Sequence, residues 1–556
     1  ELVSYVSEID LEYSNKFSQL LIQTKDGRVK PIDTYALNAV KKMLGTSSMF
    51  GLTYNQVFAG MATKAKYWQK LKLFKVKHPK IKKILGISKD SNRFSYLDIF
   101  TATTEYKLDN AANESLRTKP ASRGTFEKEV IKIDERLNVA YTVFEGIFFK
   151  AFPKMTAGDD AWYNLSEVFQ KFPKDNQNVI VQILKDNETG VNSGYENADW
   201  SLAKDSIDKL DKYQKSNASA EVLTSETLIQ AEMLYNRLGI FEKLFPAYLI
   251  SGILLLFFIF VRLAKPDSNF KLLTKVILSV IVLTFIIHTL NLGLRWYVAG
   301  HAPWSNSYEA MLYISWSIIL SGILFAKQSD FAIATTSMFA GITLFVAHLS
   351  WLDPQITNLV PVLKSYWLTI HVSVITASYG FLGLSALLGF ITLILYIIVW
   401  VIKEEFVKEQ IVTNIKEAVR INEISMTIGI TLLISGNFLG GIWANESWGR
   451  YWGWDPKETW TLVTILVYAL IIHLRYVPKL KSIYLFSVLS LVSYGTVLMT
   501  YFGVNYYLSG LHSYAGGDPV PVPVWIYYSI VVMVLIIVAA FKNRNILDLY
   551  VIKKSK

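Results

Sequence analysis

The stretch "LFPAYLISGILLLFFIFVRLA", residues 244–264, divides the chain into two regimes. It carries a single charged residue, Arg262, close to its end. Its length matches the ~20 apolar residues that a helix needs to cross a hydrocarbon core of ~30 Å. Ahead of it, residues 1–243 contain no uninterrupted apolar run of 18 residues, and behind it such runs recur. Composition agrees. Of 556 residues, 52% are hydrophobic, 14% aromatic and only 18% charged, which is little charge for a soluble chain of this size. The fold class read from this is mainly α, with a polar domain over 1–243 and a polytopic α-helical membrane domain over 244–556.

Nine segments are long and apolar enough to span, near 244–264, 272–295, 308–326, 331–352, 367–401, 421–443, 459–477, 482–502 and 524–541. The short connections fall into two sets. One set, with "AKPDSNFK", "KQSD", "KEEFVKEQIVTNIKEAVR", "PKLK" and the C-terminal tail, is the richer in lysine and is assigned to the cytoplasm. An odd number of spans then puts the N-terminal domain outside. That domain reads as mixed and mostly helical: "DGRVKPIDTYALNAVKKML" is a turn leading into an amphipathic helix, and "SETLIQAEMLYNRLGIFEKLF" a helix feeding the first span.

The net charge is +11, with a lysine cluster at "KAKYWQKLKLFKVKHPKIKK" (64–83). No base-reading motif accompanies it, so a solvated or membrane-facing surface is expected and no nucleic-acid partner. Cysteine is absent, which excludes disulfides, iron–sulfur clusters and thiolate catalysis by this chain. A protein that handles other proteins' free thiols would also avoid mixed disulfides in this way. The chain begins at Glu1 without methionine or a signal-peptide pattern, so a processed chain or a C-terminal portion is expected.

Between the sixth and seventh spans lies "WANESWGRYWGWDPKETW", residues 443–460, with Trp443, Trp448, Trp452, Trp454 and Trp460. An interfacial aromatic belt accounts for one or two tryptophans at a helix end. It accounts poorly for five interleaved with Gly449, Gly453, Asp455 and Pro456. Six of the seven histidines fall in the membrane part. His301, His371 and His512 lie at the outer face, His473 near the inner end of the seventh span, and His288 and His348 within spans; His78 is read as a surface residue. Two histidines on the outer face, either side of a Trp-rich loop, fit a bis-histidine haem site. The indoles would wall the macrocycle, and Arg450, Lys457 or Arg295 would pair with its propionates. Asp455 would orient an N–H group.

These residues resemble a known family. "WGWDPKETW" with "WANESWG" is similar to the Trp-rich (WWD) signature of haem-handling proteins in cytochrome c assembly. With "RWYVAGHAPWSNSYEAM" (295–311), "PVLKSYWLTIHVSVI" (361–375), "IIHLR" (471–475) and "GLHSY" (510–514), the set resembles the haem-handling half of the System II cytochrome c synthase. The pieces run in family order over roughly 244–515, and the N-terminal domain looks like part of the partner half's extracytoplasmic domain. The resemblance implies a multi-pass protein of the bacterial inner membrane that conveys haem b, as bound ligand and substrate, to the outer face. There it joins the vinyl groups to the thiols of a CxxCH motif in apocytochrome c, a holocytochrome-c synthase (haem lyase) activity supported by thiol-reducing proteins. His371 and His512 match the external ligand pair, and His473 one histidine of an intramembrane site. The second intramembrane histidine belongs to a span of the partner half ahead of the extracytoplasmic domain, upstream of Glu1 or on another chain; His288 is a weaker substitute. Asp455 and Glu458 are candidates for the proton donor. Two other readings stand beside this one: a haem transporter without ligation activity, which shares every residue named, and an electron-transfer dihaem cytochrome, which normally holds its haems between facing histidines in mid-span rather than in outer loops.

Overall fold

The computed structural model describes residues 1–154, 160–265, 268–349, 352–359, 363–508, 510 and 522–545. The backbone groups into two units, Glu1–Leu238 and Gly239–Lys556. The helix Glu226–Leu238 stops at Gly239, whose φ of +49° is open to a residue without Cβ, and a new helix starts at Ile240.

The first unit is mostly helical. Among the described residues its strands form only short antiparallel pairs, such as Leu21–Gln23 with Val29–Pro31 in the register Leu21↔Pro31. That pair is the part of "DGRVKPIDTYALNAVKKML" not anticipated from sequence: the turn closes a hairpin before the expected helix, Ile32–Leu44, begins. Its core gathers Tyr13, Phe17, Met43, Phe58, Trp68, Phe94 and Phe152. Helices Lys174–Asn197 and Ser201–Asn217 close on one another at Gly190, where a β-carbon would lie 2.2 Å from the Ala203 amide nitrogen. A buried polar cluster ties the last helix to the hairpin and to Ile32–Leu44. Arg28 donates to Glu232 (2.7 Å), as does Thr34 (2.7 Å), and Asn236 donates to Asp33 (2.9 Å). Asp33 also accepts from Tyr54 (2.9 Å) and Asn55 (2.8 Å). Burial still pushes its carboxyl above the ordinary carboxylate range.

The second unit supplies nine apolar helices of spanning length among the described residues. They are α1 Ile240–Ala264, α2 Lys271–Ala299, α3 Ser307–Phe325, α4 Asp330–Ala347, α5 Tyr366–Val401, α6 Glu405–Trp448, α7 Pro456–His473, α8 Ile483–Leu498, whose span runs on through the following turns to Tyr507, and α9 Val524–Phe541. The chain is therefore a multi-pass α-helical membrane protein. Helix α5 is the hub: it packs on α3, α6 and α8, while α1 packs on α4 and α2 on α1. Small residues set these contacts, as expected where lipid supplies no hydrophobic drive between helices. β-carbons on Gly252 of α1 and Gly341 of α4 would meet the partner's backbone nitrogens at 2.4 and 2.7 Å, and one on Gly380 of α5 would meet Ser317 of α3 at 2.4 Å.

Helix α6 corrects the sequence reading most. The segment "KEEFVKEQIVTNIKEAVR", expected as a connection, is helical from Glu405. Its Val407, Ile411, Ile415 and Ala418 recur at helical spacing and are buried. With 44 residues, α6 is about 66 Å long at 1.5 Å per residue, twice a bilayer core.

Candidate functional site

The expected Trp-rich loop is mostly helix. Trp443 and Trp448 lie in the last turns of α6, which Gly449 ends in the left-handed region (φ +70°) with its N–H bonded to Asn445 O. Helix α7 begins at Pro456 and carries Trp460. Only residues 449–455 connect the two. The "DPKE" within the motif is a capping box with proline at the first helical position. Asp455 accepts from the Lys457 N–H (2.9 Å), and Glu458 reaches back to the N–H groups of Asp455 (3.2 Å) and Gly453 (2.8 Å).

At this end of the bundle, α3, α5, α6, α7 and the turns after α8 enclose a cavity of about 280 Å³, close to the lower bound of ~300 Å³ for small-molecule sites. Its walls include His371, Trp443, Trp448, Trp452, Lys457 and Glu458. His371 lies nearly parallel to Trp443 (15°, centroids 6.4 Å apart), and Trp443 meets Trp448 edge-on at 4.7 Å. Two features of α6 hold the His371 ring. Its Nδ1 lies 2.7 Å from the Gly436 carbonyl, which can only accept, so Nδ1 carries the proton and the lone pair stays on Nε2. Gly440 passes beneath the ring, where a β-carbon would stand 2.5 Å from Cε1. The sequence reading missed this support, although "GNFLGG" (436–441) carries a small-xxx-small pattern that marks a close helix contact. It also missed Tyr501 and Asn505, which line the cavity from the far side. Asn505 accepts from Lys457 Nζ at 3.1 Å.

Other candidates stand elsewhere. Arg295, expected at the propionates, is fully buried against Glu309 (2.8 Å) and donates to the Pro354 carbonyl (3.1 Å). Glu309 also accepts from Ser305 N (2.8 Å), and Asn306 caps α3. The motif "RWYVAGHAPWSNSYEAM" is thus chiefly a folding node for the rim, because a buried guanidinium needs a carboxylate partner. Its later part, from His301 through Trp304 to Ala310, also lines the cavity, with His301 Nε2 3.1 Å from the Thr357 carbonyl. Arg450 is exposed, its guanidinium over Gly453. Trp454 and Trp460 are not among the cavity residues, and Asp455, 7% exposed, acts as the α7 cap. His512 lies outside the described residues. Gly510, two positions earlier, runs against Asp455, where a β-carbon would meet Oδ2 at 2.4 Å.

His473 stands at the opposite end of α7, about 27 Å of helix from Asp455. Its side chain is exposed, and Nδ1 lies 2.7 Å from the Ala469 carbonyl, again leaving the lone pair on Nε2. His288 does not stand with it. It is fully buried on α2 beside Tyr248 and Phe241, and α2 packs on α1 and α3 while α7 packs on α6 and α8. His348 follows α4 as its C-cap, with Nδ1 2.6 Å from the Leu344 carbonyl. Among the described residues no three His, Asp or Glu side chains cluster as a metal site.

Comparison with known proteins agrees with this architecture. Residues 304–512 match the family model described as Cytochrome C assembly protein. The chain is 44% identical over 517 residues to Protein NrfI of Wolinella succinogenes, covering 92% of this chain but 55% of NrfI, so it spans about half of that relative's length. It is 34% identical over 256 residues to the cytochrome c biogenesis protein CcsA of Guillardia theta, covering 42% of this chain and 83% of CcsA. For CcsA of Prochlorococcus marinus strain MIT 9301 the identity is 31% over 294 residues, or 48% and 93% of the two chains. With that identity over most of the length of the CcsA proteins, the chain belongs to the CcsA family of cytochrome c biogenesis proteins.

Proposed function

We propose that this cytochrome c biogenesis protein holds haem in the Trp-walled cavity and presents it for covalent attachment to the CxxCH motif of apocytochrome c. The observation that carries the reading is His371, fixed against Trp443 with its Nδ1 committed to the Gly436 carbonyl. That arrangement supports use of Nε2 as an axial ligand to iron, since a fixed tautomer and ring angle are what a haem ligand requires. Trp443, Trp448 and Trp452 form the apolar wall. Lys457, beside the N-terminus of α7, is the cation for a propionate; Arg295 is withdrawn from that role. His512 is the proposed second ligand.

The ligation step adds each cysteine S–H across a vinyl C=C: sulfur bonds to one carbon and the proton ends on the other. The chain's contribution is to hold the porphyrin edge and the thiols in register and to exclude water, which is catalysis by positioning. In the proposed topology the cavity and the N-terminal domain face the outer side of the bacterial cytoplasmic membrane. His473, at the opposite end of α7, belongs to an intramembrane haem site whose second histidine comes from the partner half. Thiol-reducing proteins supply reduced CxxCH.

The test is co-expression of the complete protein with a CxxCH apocytochrome in a host without its own assembly system. Covalent holocytochrome is expected. Haem that copurifies while no covalent product ever forms would leave a transporter instead.

A further inference from the structure

Trp454 breaks two rules at once. Its φ of +54° puts a bulky side chain in the left-handed region, which L-residues avoid because Cβ crowds the backbone. The residue is also 71% exposed. The residue before it is Gly453, which would take that conformation freely, yet the strain falls on the tryptophan. The backbone on both sides is tied down, because the Glu458 carboxylate accepts from the N–H of Gly453 and of Asp455. The indole meets Trp452, a cavity-wall residue, edge-on at 5.8 Å. Trp454 therefore stands beside a wall residue of the cavity without lining it, and is open to solvent. A membrane-interface anchor needs no such backbone, as exposed Trp296, Tyr297 and Tyr366 sit on ordinary helices. Backbone strain kept in place by its surroundings marks a position held for function.

We propose that Trp454 is the docking anchor for the CxxCH segment of apocytochrome c, while Trp443, Trp448 and Trp452 belong to the haem. The inference rests on the function proposed above. The occupant follows from position: a peptide whose thiols must reach the porphyrin edge has to pass the cavity wall beside which Trp454 stands. An exposed indole on a fixed backbone is also the kind of side chain that most often dominates a peptide contact once it is covered.

The test compares wild type, Trp454→Ala and Trp454→Gly, co-expressed with the apocytochrome. Three readouts are needed: covalent haem per synthase molecule, the haem absorption of the purified synthase, and its unfolding temperature. Both variants are expected to lose about tenfold or more in covalent product with unchanged haem absorption. Trp454→Gly should also unfold at a higher temperature than wild type, because glycine removes the strain. Wild-type ligation by either variant overturns the proposal. So does loss of the haem absorption, which would make Trp454 part of the wall, or a lower amount in the membrane with normal ligation per molecule, which would make it an interfacial anchor. If the wild-type chain itself neither binds haem nor forms product, the functional reading fails instead. A photo-crosslinker at position 454 then decides the anchor separately, by capturing or failing to capture a synthetic CxxCH peptide.

Discussion

The ring of His371 occupies the space that a side chain on Gly440 would fill, and this makes Gly440→Ala an informative perturbation. The added β-carbon would lie 2.5 Å from Cε1 and 2.7 Å from Nδ1, whereas non-bonded carbons pack at about 3.5–4.0 Å. The ring or α6 must therefore move by about 1 Å. Alanine gains about 1 kcal/mol as a helix former over glycine. Against that, overpacking costs about 1–3 kcal/mol, and disturbing the Nδ1–H···O bond to Gly436 costs about 0.5–1.5 kcal/mol. The net loss is about 0.5–3.5 kcal/mol of stability. The functional effect is larger, since a 1 Å misplacement of a positioned group costs about 100-fold in rate. The assay pairs thermal unfolding in detergent with the haem absorption spectrum and covalent haem yield. Gly429→Ala is the control: its β-carbon would meet Leu382 at 2.6 Å on the same α5–α6 interface, so it should lose stability and keep the spectrum. A Gly440→Ala protein with wild-type spectrum and wild-type ligation would refute the reasoning that α6 sets the ring.

Three further outcomes are expected. Arg295→Ala should unfold the rim, because removing one partner of a buried ion pair costs about 3–5 kcal/mol. Lys457→Ala should instead weaken haem retention in a protein that still folds; stability and haem content of the two, measured side by side, check the division. Asp455→Asn should keep both stability and ligation, since asparagine caps a helix as well as aspartate while alanine costs about 1 kcal/mol; loss of ligation in a stable Asp455→Asn protein would restore a proton-transfer role. The third concerns pH. The folded state raises the pKa of Asp33 by burial, so it binds the proton more tightly than the unfolded chain does. The contribution to stability is fully present below the ordinary carboxylate pKa of ~3.9 and is lost as pH rises through the raised value. Protection of Ile32–Leu44 from hydrogen exchange, corrected for intrinsic rates, should fall across that window, and Asp33→Asn should abolish the dependence.

The spans were legible because uninterrupted apolar runs have no other outcome in a chain this poor in charge. The lower half of α6 was not, because Glu405, Lys408, Glu409, Lys416 and Glu417 lower its hydropathy while Val407, Ile411 and Ile415 keep its helical period. The candidate site was legible as a set of residue types, and less so as a set of roles. Arg295 looked like a free cation because its partner, Glu309, stands beyond a turn 14 residues on. Asp455 and Glu458 invited an acid–base reading, although D-P-K-E is also the local pattern of a capped helix start. Which tryptophans face the cavity depends on where α6 ends and on the φ of a single residue, and spacing in the sequence encodes neither. Gly440 was missed because the small-xxx-small pattern of Gly436 and Gly440 marks a close contact without saying which side chain fills it.

The central claim is that His371 ligates haem inside the Trp-walled cavity. The absorption spectrum of the purified complete protein, with wild type, His371→Ala and His371→Ala grown with imidazole, tests it most directly. The account predicts that the alanine variant loses the low-spin signal of the outer haem and that free imidazole restores it by filling the space of the missing ring. An alanine variant whose spectrum is indistinguishable from wild type, with no response to imidazole, would contradict it.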